Sequence, residues 1–280
     1  MKRIGIIDYF LNNYHANNYP KWIKEYSEGR LEVTCAYAMI DCPVEGSMTN
    51  EEWSLKQGIP LVSTIEEVIE QSDYLMVLSP SHPEPHEELS RLALSSGKPV
   101  YIDKTFAPDL SAAKRMFDLA EANNTPCCSS SALAFVSEYE VFDKTRIQTI
   151  SSKGGGGYKV YTIHQFEPVV ALMNEKPARI MATGTEAFPA FLIEFEDGRL
   201  AKTEQYMNAP FEIYAGYEDG SHEVALVESD LFKNFILRVI EFFETGRLVA
   251  EKWQTLSVIN LLNGATKAKE TPFTWVDVRI

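Results

Sequence analysis

The sequence predicts an α/β fold: a doubly wound parallel sheet over residues 1–130, then an α+β domain with a mainly antiparallel sheet over residues 131–280. Three observations predict it. Up to Ser130, short apolar runs of strand length alternate with helix-period stretches, the pattern of βαβ units with right-handed crossovers. Beyond it, apolar and polar residues alternate around Asp197-Gly198, and a further run ends at a turn at Asp219-Gly220, as in hairpins. A chain of 280 residues also suits two cores better than one.

Taken in order, Lys2 to Asp8 is a first strand, followed by a turn and a helix through Tyr19-Pro20 to Tyr26. Leu31 to Tyr37 is the second strand. Asn50 precedes Glu51-Glu52-Trp53 as a helix cap, and Ser63-Thr64-Ile65-Glu66-Glu67 is a capping-box signature for a helix to Gln71. Tyr74 to Leu78 is a strand; Pro83 and Pro85 then force a long turn, because proline cannot sit inside a helix. The next helix carries Leu89, Leu92, Ala93 and Ser96 on one face and stops at Gly97. Val100 to Ile102 begins a buried strand, Ser111 caps a helix with Ala112, Ala113, Met116, Phe117 and Ala120 on its apolar face, and Pro126 to Ser129 reads as a sixth strand.

In the second half Ile147 to Ser151, Phe191 to Phe195, Leu200 to Tyr206 and Phe211 to Tyr217 are strands. Asp230 to Thr245 is a helix stopped by Gly246, and a last helix runs from about Trp253 to Lys269.

Composition excludes several classes. A net charge of -14 argues against nucleic acid or an anionic membrane as partner, since phosphate binding needs clustered Lys and Arg. No uninterrupted apolar run reaches the roughly 18 residues of a membrane span. Cys35, Cys42, Cys127 and Cys128 form no CxxC pair and read as reduced thiols of a cytoplasmic chain; MKRIGIIDYF is a strand and not a signal peptide. His82 and His86 stand near Glu84, Glu87 and Glu88, but the prolines between them prevent the helical spacing that would aim both at one ion, so no metal is expected.

The central stretch is Tyr74 to Asp109, one βαβ unit ending in Asp103-Lys104. Ligands of open α/β sheets bind at the carboxyl ends of the strands, so Lys104 is a candidate functional residue. Its other reading is a strand-end charge paired with Asp103. Pro80, His86, Gly97-Lys98 and Asp103-Lys104-Thr105, in this order, resemble the Gfo/Idh/MocA oxidoreductases (glucose-fructose oxidoreductase, inositol dehydrogenase and relatives). In that family a proline-containing turn, a histidine, a helix closed by Ala-Gly-Lys, a strand and Glu-Lys-Pro follow one another; here Glu-Lys-Pro has become Asp-Lys-Thr.

The resemblance implies a Rossmann-like first domain and NAD or NADP as cofactor, with Phe10, Leu11, Asn12, Pro80, His86 and Asp103 at its site. The family's three glycines, which let the backbone approach a pyrophosphate, fall near Asp8, Phe10 and Asn13, and His15 sits where the family often has a histidine. An ionised Asp8 would set a negative charge beside an incoming pyrophosphate. Asp41 comes late for the residue that holds an adenosine ribose.

Lys153 to Glu167 is the second informative stretch. Four glycines on their own read as a flexible loop, and the Walker spacing is absent. The family has Gly-Gly-Gly and, further on, Gly-x-His-x-x-Asp leading into an apolar helix; Gly154 to Gly156, His164 and Glu167 match, with Val160 and Thr162 as departures. His164 and Glu167 would share one helix face, so that a carboxylate could orient the imidazole. The resemblance assigns Lys104, His164 and Glu167 to catalysis: a base near neutral pKa takes the proton of a sugar carbinol, and an ammonium stabilises the developing alkoxide. The expectation is that ammonium and imidazole meet across one cleft.

The sequence thus predicts an NAD(P)-dependent oxidoreductase of a sugar, polyol or related hydroxy compound, a homodimer or higher homo-oligomer through its antiparallel sheet. The alternatives are a non-catalytic descendant binding a metabolite or protein partner without a classical dinucleotide site, and a redox-neutral elimination or hydrolysis.

Overall fold

The computed structural model describes residues 1–280. The chain divides into two compact units, Met1–Ser130 with Ile236–Glu251, and Ser131–Phe235 with Lys252–Ile280.

The first unit is built on β1 (Lys2–Asp8), α1 (Tyr14–Tyr26), β2 (Leu31–Ala38), α2 (Asn50–Gln57), α3 (Ile65–Gln71), β3 (Tyr74–Val77), α4 (His86–Leu94), β4 (Val100–Ile102), α5 (Leu110–Ala122) and β5 (Cys127–Cys128). Its sheet has the order β2-β1-β3-β4-β5, and every pair is parallel. β1 is buried from Ile4 to Asp8, as a central strand covered on both faces must be. The order turns outward on either side of β1 and β3, which places the crevice beyond their carboxyl ends.

Several boundaries differ from the sequence reading, each for a local reason. The strand at Cys127–Cys128 is the fifth and not the sixth, since only β1 to β4 precede it, and the stretch between β2 and β3 adds no more than an isolated bridge, Ala36 to Leu61. Helix α1 starts at Tyr14, well before Tyr19: the Asn13 side chain caps it by accepting from the Ala16 N–H, and Pro20 lies inside the helix. Thr49, not Asn50, caps α2, in a capping box with Glu52. Asp109, not Ser111, caps α5.

The second unit contains β6 (Ile147–Gly154), α6 (Tyr158–Tyr161), α7 (Ile163–Met173), β7 (Pro177–Ala182), β8 (Ala190–Phe195), β9 (Leu200–Gln205), β10 (Glu212–Tyr217), β11 (His222–Leu226), α9 (Lys252–Glu270) and β12 (Val276–Asp277). Between β11 and α9 runs α8 (Leu231–Thr245). From Ile236 onward α8 belongs to the first unit, although the sequence reading placed residues 131–280 together: Phe243 stacks on Tyr74 with ring centroids 4.9 Å apart, and Arg30 Nε donates to Glu244 at 2.7 Å. The seven strands follow the order β11-β10-β6-β9-β8-β7-β12, antiparallel except for β6 with β9. One sheet face buries Ile150, Ile180, Ile193, Ala201 and Ile213 in a core shared with Phe166, Val170 and Leu261 of α7 and α9. β7, β11 and β12 escaped the sequence reading. No helix is long and apolar enough to cross a membrane.

Candidate functional site

At the carboxyl end of β1, Asp8 is fully buried. Its Oδ1 accepts from the Tyr9 N–H at 2.7 Å and its Oδ2 from Asn13 Nδ2 at 2.9 Å. Burial pushes the carboxyl up to about 8, against the hydrogen bonds from Asn13 and Tyr9. A carboxyl raised in this way favours its uncharged form near neutral pH, against the expectation of a negative charge at this point.

The turn between β1 and α1 is wired to itself and to α2. The Leu11 N–H donates to Asn50 Oδ1 at 3.0 Å, the Asn13 N–H to the Leu11 carbonyl at 2.8 Å, and Asn13 Nδ2 to the Phe10 carbonyl at 2.7 Å. Asn50 is itself fixed: its Nδ2 donates to the Ile40 carbonyl and its N–H to Asp41, both at 2.7 Å. The residue read as a helix cap is thus the clamp on this turn. Of the three turn residues assigned to the cofactor, Leu11 is fully buried, and Asn12 Oδ1 accepts from Asn17 Nδ2 at 3.3 Å. The third, Phe10, packs its ring 5.6 Å from that of His82 and 5.7 Å from that of Tyr9.

At the end of β4 lies Asp103, 1% exposed, with Lys104 beside it at 8%. Asp103 Oδ2 accepts from His15 Nδ1, which the first turn of α1 delivers across the sheet end. Asp103 Oδ1 accepts from the Lys104 N–H at 2.9 Å and lies 3.2 Å from the Tyr101 hydroxyl. Burial works to raise this carboxyl, but the His15 imidazole, then Lys104 and His86, outweigh it and hold it below the ordinary carboxylate range. The His15 ring stacks on Tyr19 at 4.6 Å. The peptide between Lys104 and Thr105 is cis.

His86 is fully buried, and its two ring nitrogens lie at hydrogen-bonding distance from the carbonyls of Thr105, Phe106 and Leu78, at 2.9, 3.1 and 2.7 Å. Burial lowers its pKa while Asp103 and those carbonyls pull the other way. It ties the turn after β4 to the end of β3 and has no outward face. The carbonyl of Pro80 faces His82 Nδ1 at 3.3 Å, in a turn where Ser79 and Ser81 adopt left-handed backbone. The structure therefore brings Asp103, Lys104 and His15 together, and sets Asp103 and His86 as interior supports. The sequence reading named His15, Asn13 and Asn50 but gave none of them its part here: the bond to Asp103, the cap of α1 and the clamp on the turn.

In the second unit, His164 and Glu167 lie three residues apart on α7. The His164 ring meets Tyr161 and Phe211 edge-on, at 5.3 and 6.2 Å. Glu167 Oε2 accepts from the Ser131 N–H at 2.6 Å, so one carboxylate oxygen holds the start of this unit. The glycine run is not a loose loop. Gly154 ends β6; a Cβ on Gly155 would lie 2.4 Å from the Ala209 carbonyl oxygen; and Gln205 Nε2 donates to the Gly156 carbonyl at 2.8 Å. Gln205 Oε1 in turn accepts from Thr162 Oγ1 at 2.8 Å, which fixes the residue two before His164.

Residues 42–130 match the family model described as oxidoreductase family, NAD-binding Rossmann fold. Over these residues the chain is similar to the Gfo/Idh/MocA family. An uncharacterized oxidoreductase of Escherichia coli (strain K12), YhhX, is 33% identical over 72 residues, which is 26% of this chain and only 21% of the relative's length. Among solved structures, GenD2 from gentamicin A biosynthesis in complex with NAD superposes with a TM-score of 0.80 at 11% identity, covering 100% of this chain and 97% of that one. A myo-inositol 2-dehydrogenase from Lactobacillus plantarum gives 0.79 at 11%, covering 99% of each chain. UDP-N-acetylglucosamine 3-dehydrogenase GnnA from Acidithiobacillus ferrooxidans gives 0.78 at 10%, covering 96% and 98%. At these identities the likeness is one of fold.

An NAD-binding Rossmann fold implies a dinucleotide, and the β1–α1 turn of this chain does not fit the diphosphate. A Rossmann turn binds it with open backbone N–H groups and glycines that admit close approach. Here the N–H groups of Tyr9, Leu11, Asn13 and Ala16 already have protein acceptors, and a phenylalanine stands at the middle glycine position.

Proposed function

We propose that this protein is an oxidoreductase acting on the hydroxyl-bearing carbon of a sugar, polyol or related hydroxy compound, with NAD or NADP as hydride acceptor. The observation that carries it is Lys104, an 8% exposed ammonium directly after a central parallel strand, beside the buried carboxylate of Asp103. In a low-dielectric setting such a charge stabilises a developing alkoxide far better than it would in water. His164 is assigned the proton of the substrate hydroxyl, and Glu167 the support of the segment that begins at Ser131. The family description and the sugar- and inositol-directed names of the structural neighbours support the substrate class. These roles act at the substrate oxygen and require nothing of the β1–α1 turn.

The second unit is assigned the substrate and the contact between copies. Tyr214, Val224 and Leu226 are exposed on β10 and β11, where Tyr214 pairs with Val224, and a second copy of this chain would cover them. Sedimentation equilibrium of wild-type protein against a Val224→Lys variant tests that assignment; a wild-type monomer removes it.

A second reading, binding of a metabolite without a dinucleotide, is favoured by the wiring of the β1–α1 turn. Titration of the purified protein with NADH and NADPH, followed by the fluorescence of its four tryptophans, separates the two. Saturation at micromolar cofactor supports the oxidoreductase; no binding at about 1 mM supports the second reading.

A further inference from the structure

The residues that replace the glycines of the β1–α1 turn form a connected device. Asn13 caps α1 through Oδ1, and its Nδ2 donates to both the Phe10 carbonyl and Asp8. Asn50 reaches in from α2 to take the Leu11 N–H, and is itself held by Ile40 and Asp41. The Phe10 ring closes the outer side against Tyr9 and His82. Two residues beyond the cap, the same helix turn carries His15 to Asp103.

We propose that the β1–α1 turn is a sealed mount for His15 that makes no contact with the diphosphate of a nucleotide. Accounting for backbone donors is the first argument. A diphosphate binds such a turn by meeting successive N–H groups without an acceptor; here the alternate N–H groups of Tyr9, Leu11 and Asn13 are matched at 2.7, 3.0 and 2.8 Å, and that of Ala16 at 2.9 Å, so that no two successive donors from Tyr9 to Asn13 are open. An incoming anion would exchange made bonds for new ones and gain little. Shape is the second: the close approach that glycine permits is occupied by Phe10. The third is that the bonds have another use, since the cap that removes the Ala16 donor also fixes the helix turn from which His15 reaches Asp103. The proposal rests on the strand-end site described above but not on hydride transfer.

Amide spectra of the full-length ¹⁵N-labelled protein, titrated separately with ADP-ribose, inorganic pyrophosphate and NADH to about 1 mM, test it. The amides of Tyr9, Leu11, Asn13 and Ala16 are expected to stay in place with all three. Saturable shifts of those four amides with ADP-ribose would overturn the sealed turn while supporting a dinucleotide enzyme. NADH that saturates and moves only other amides upholds both readings. Absence of any NADH binding removes hydride transfer to nicotinamide and leaves the sealed turn standing. For the mount, Asn13→Ala is expected to shift or broaden the His15 imidazole resonances, and Asn13→Ser, which keeps a capping oxygen, to restore them; an unmoved His15 in Asn13→Ala overturns that half.

Discussion

The His15 imidazole at the start of α1 hydrogen-bonds the Asp103 carboxylate at the end of β4, so the turn after the first strand is tied to the residue that precedes Lys104. Asp103 is almost inaccessible, and its charge is tolerated because His15, Tyr101 and the Lys104 N–H surround it. Removing one partner of a buried pair leaves an uncompensated charge. His15→Ala is accordingly expected to lower stability by about 3–5 kcal/mol in urea unfolding at pH 7, with His15→Gln costing less. Equal stability of wild type and His15→Ala would show that Asp103 is held by its other neighbours alone.

Asp103 and Asp8 impose opposite pH dependences. The depressed pKa of Asp103 contributes stability above the ordinary carboxylate value of 3.8, lost as pH falls through its folded pKa. Asp8, raised to about 8, binds its proton in the folded state and not in the unfolded chain between about 4 and 8, so its contribution falls as pH rises across that window, at up to about 1.4 kcal/mol per pH unit. Asp8→Asn forfeits about 1 kcal/mol at pH 5, where one hydrogen bond of the neutral carboxyl is lost. It is expected to be the more stable protein at pH 9. Chemical unfolding of both proteins from pH 5 to 9 checks this; parallel curves would mean that Asp8 is ionised throughout.

The glycine run before α6 offers a paired test of its packing role. A Cβ at Gly155 meets the Ala209 carbonyl at 2.4 Å, whereas one at Gly157 meets nothing within 4 Å. Gly155→Ala is expected to cost about 1–3 kcal/mol or more, and Gly157→Ala to stay within about 0.5 kcal/mol. Similar thermal melts for the two variants would make the run the loose loop that four glycines suggest.

Periodicity carried the two sheets and most helices, because buried strands and amphipathic helices announce themselves through the spacing of apolar residues. Lys104 is marked by its place after a strand of the βαβ unit, whereas Asp103 and His86 entered through the family resemblance, as cofactor residues, and lie in the structure as buried supports. The roles of Asn13 and Asn50 in the turn were not legible. Each is a polar residue near a helix start, where asparagine usually caps; Asn13 does cap, whereas Asn50 reaches 39 positions along the chain to Leu11. The protonation of Asp8 was not legible either, because burial, which shifts it, has no local signature. β12, only two residues long, is defined by its pairing with β7 and not by any pattern of its own.

The most direct test of the account is turnover. Purified protein is incubated with NAD or NADP and a panel of myo-inositol, scyllo-inositol and UDP-N-acetylglucosamine, and reduced nicotinamide is followed by absorbance, for wild type and for Lys104→Met, which keeps the aliphatic stem without the charge. Substrate-dependent reduction by wild type is expected, with a fall of at least about 100-fold in Lys104→Met and both proteins melting alike. Undiminished turnover in Lys104→Met, or a wild-type protein that neither turns over nor saturates with NADH, would contradict it.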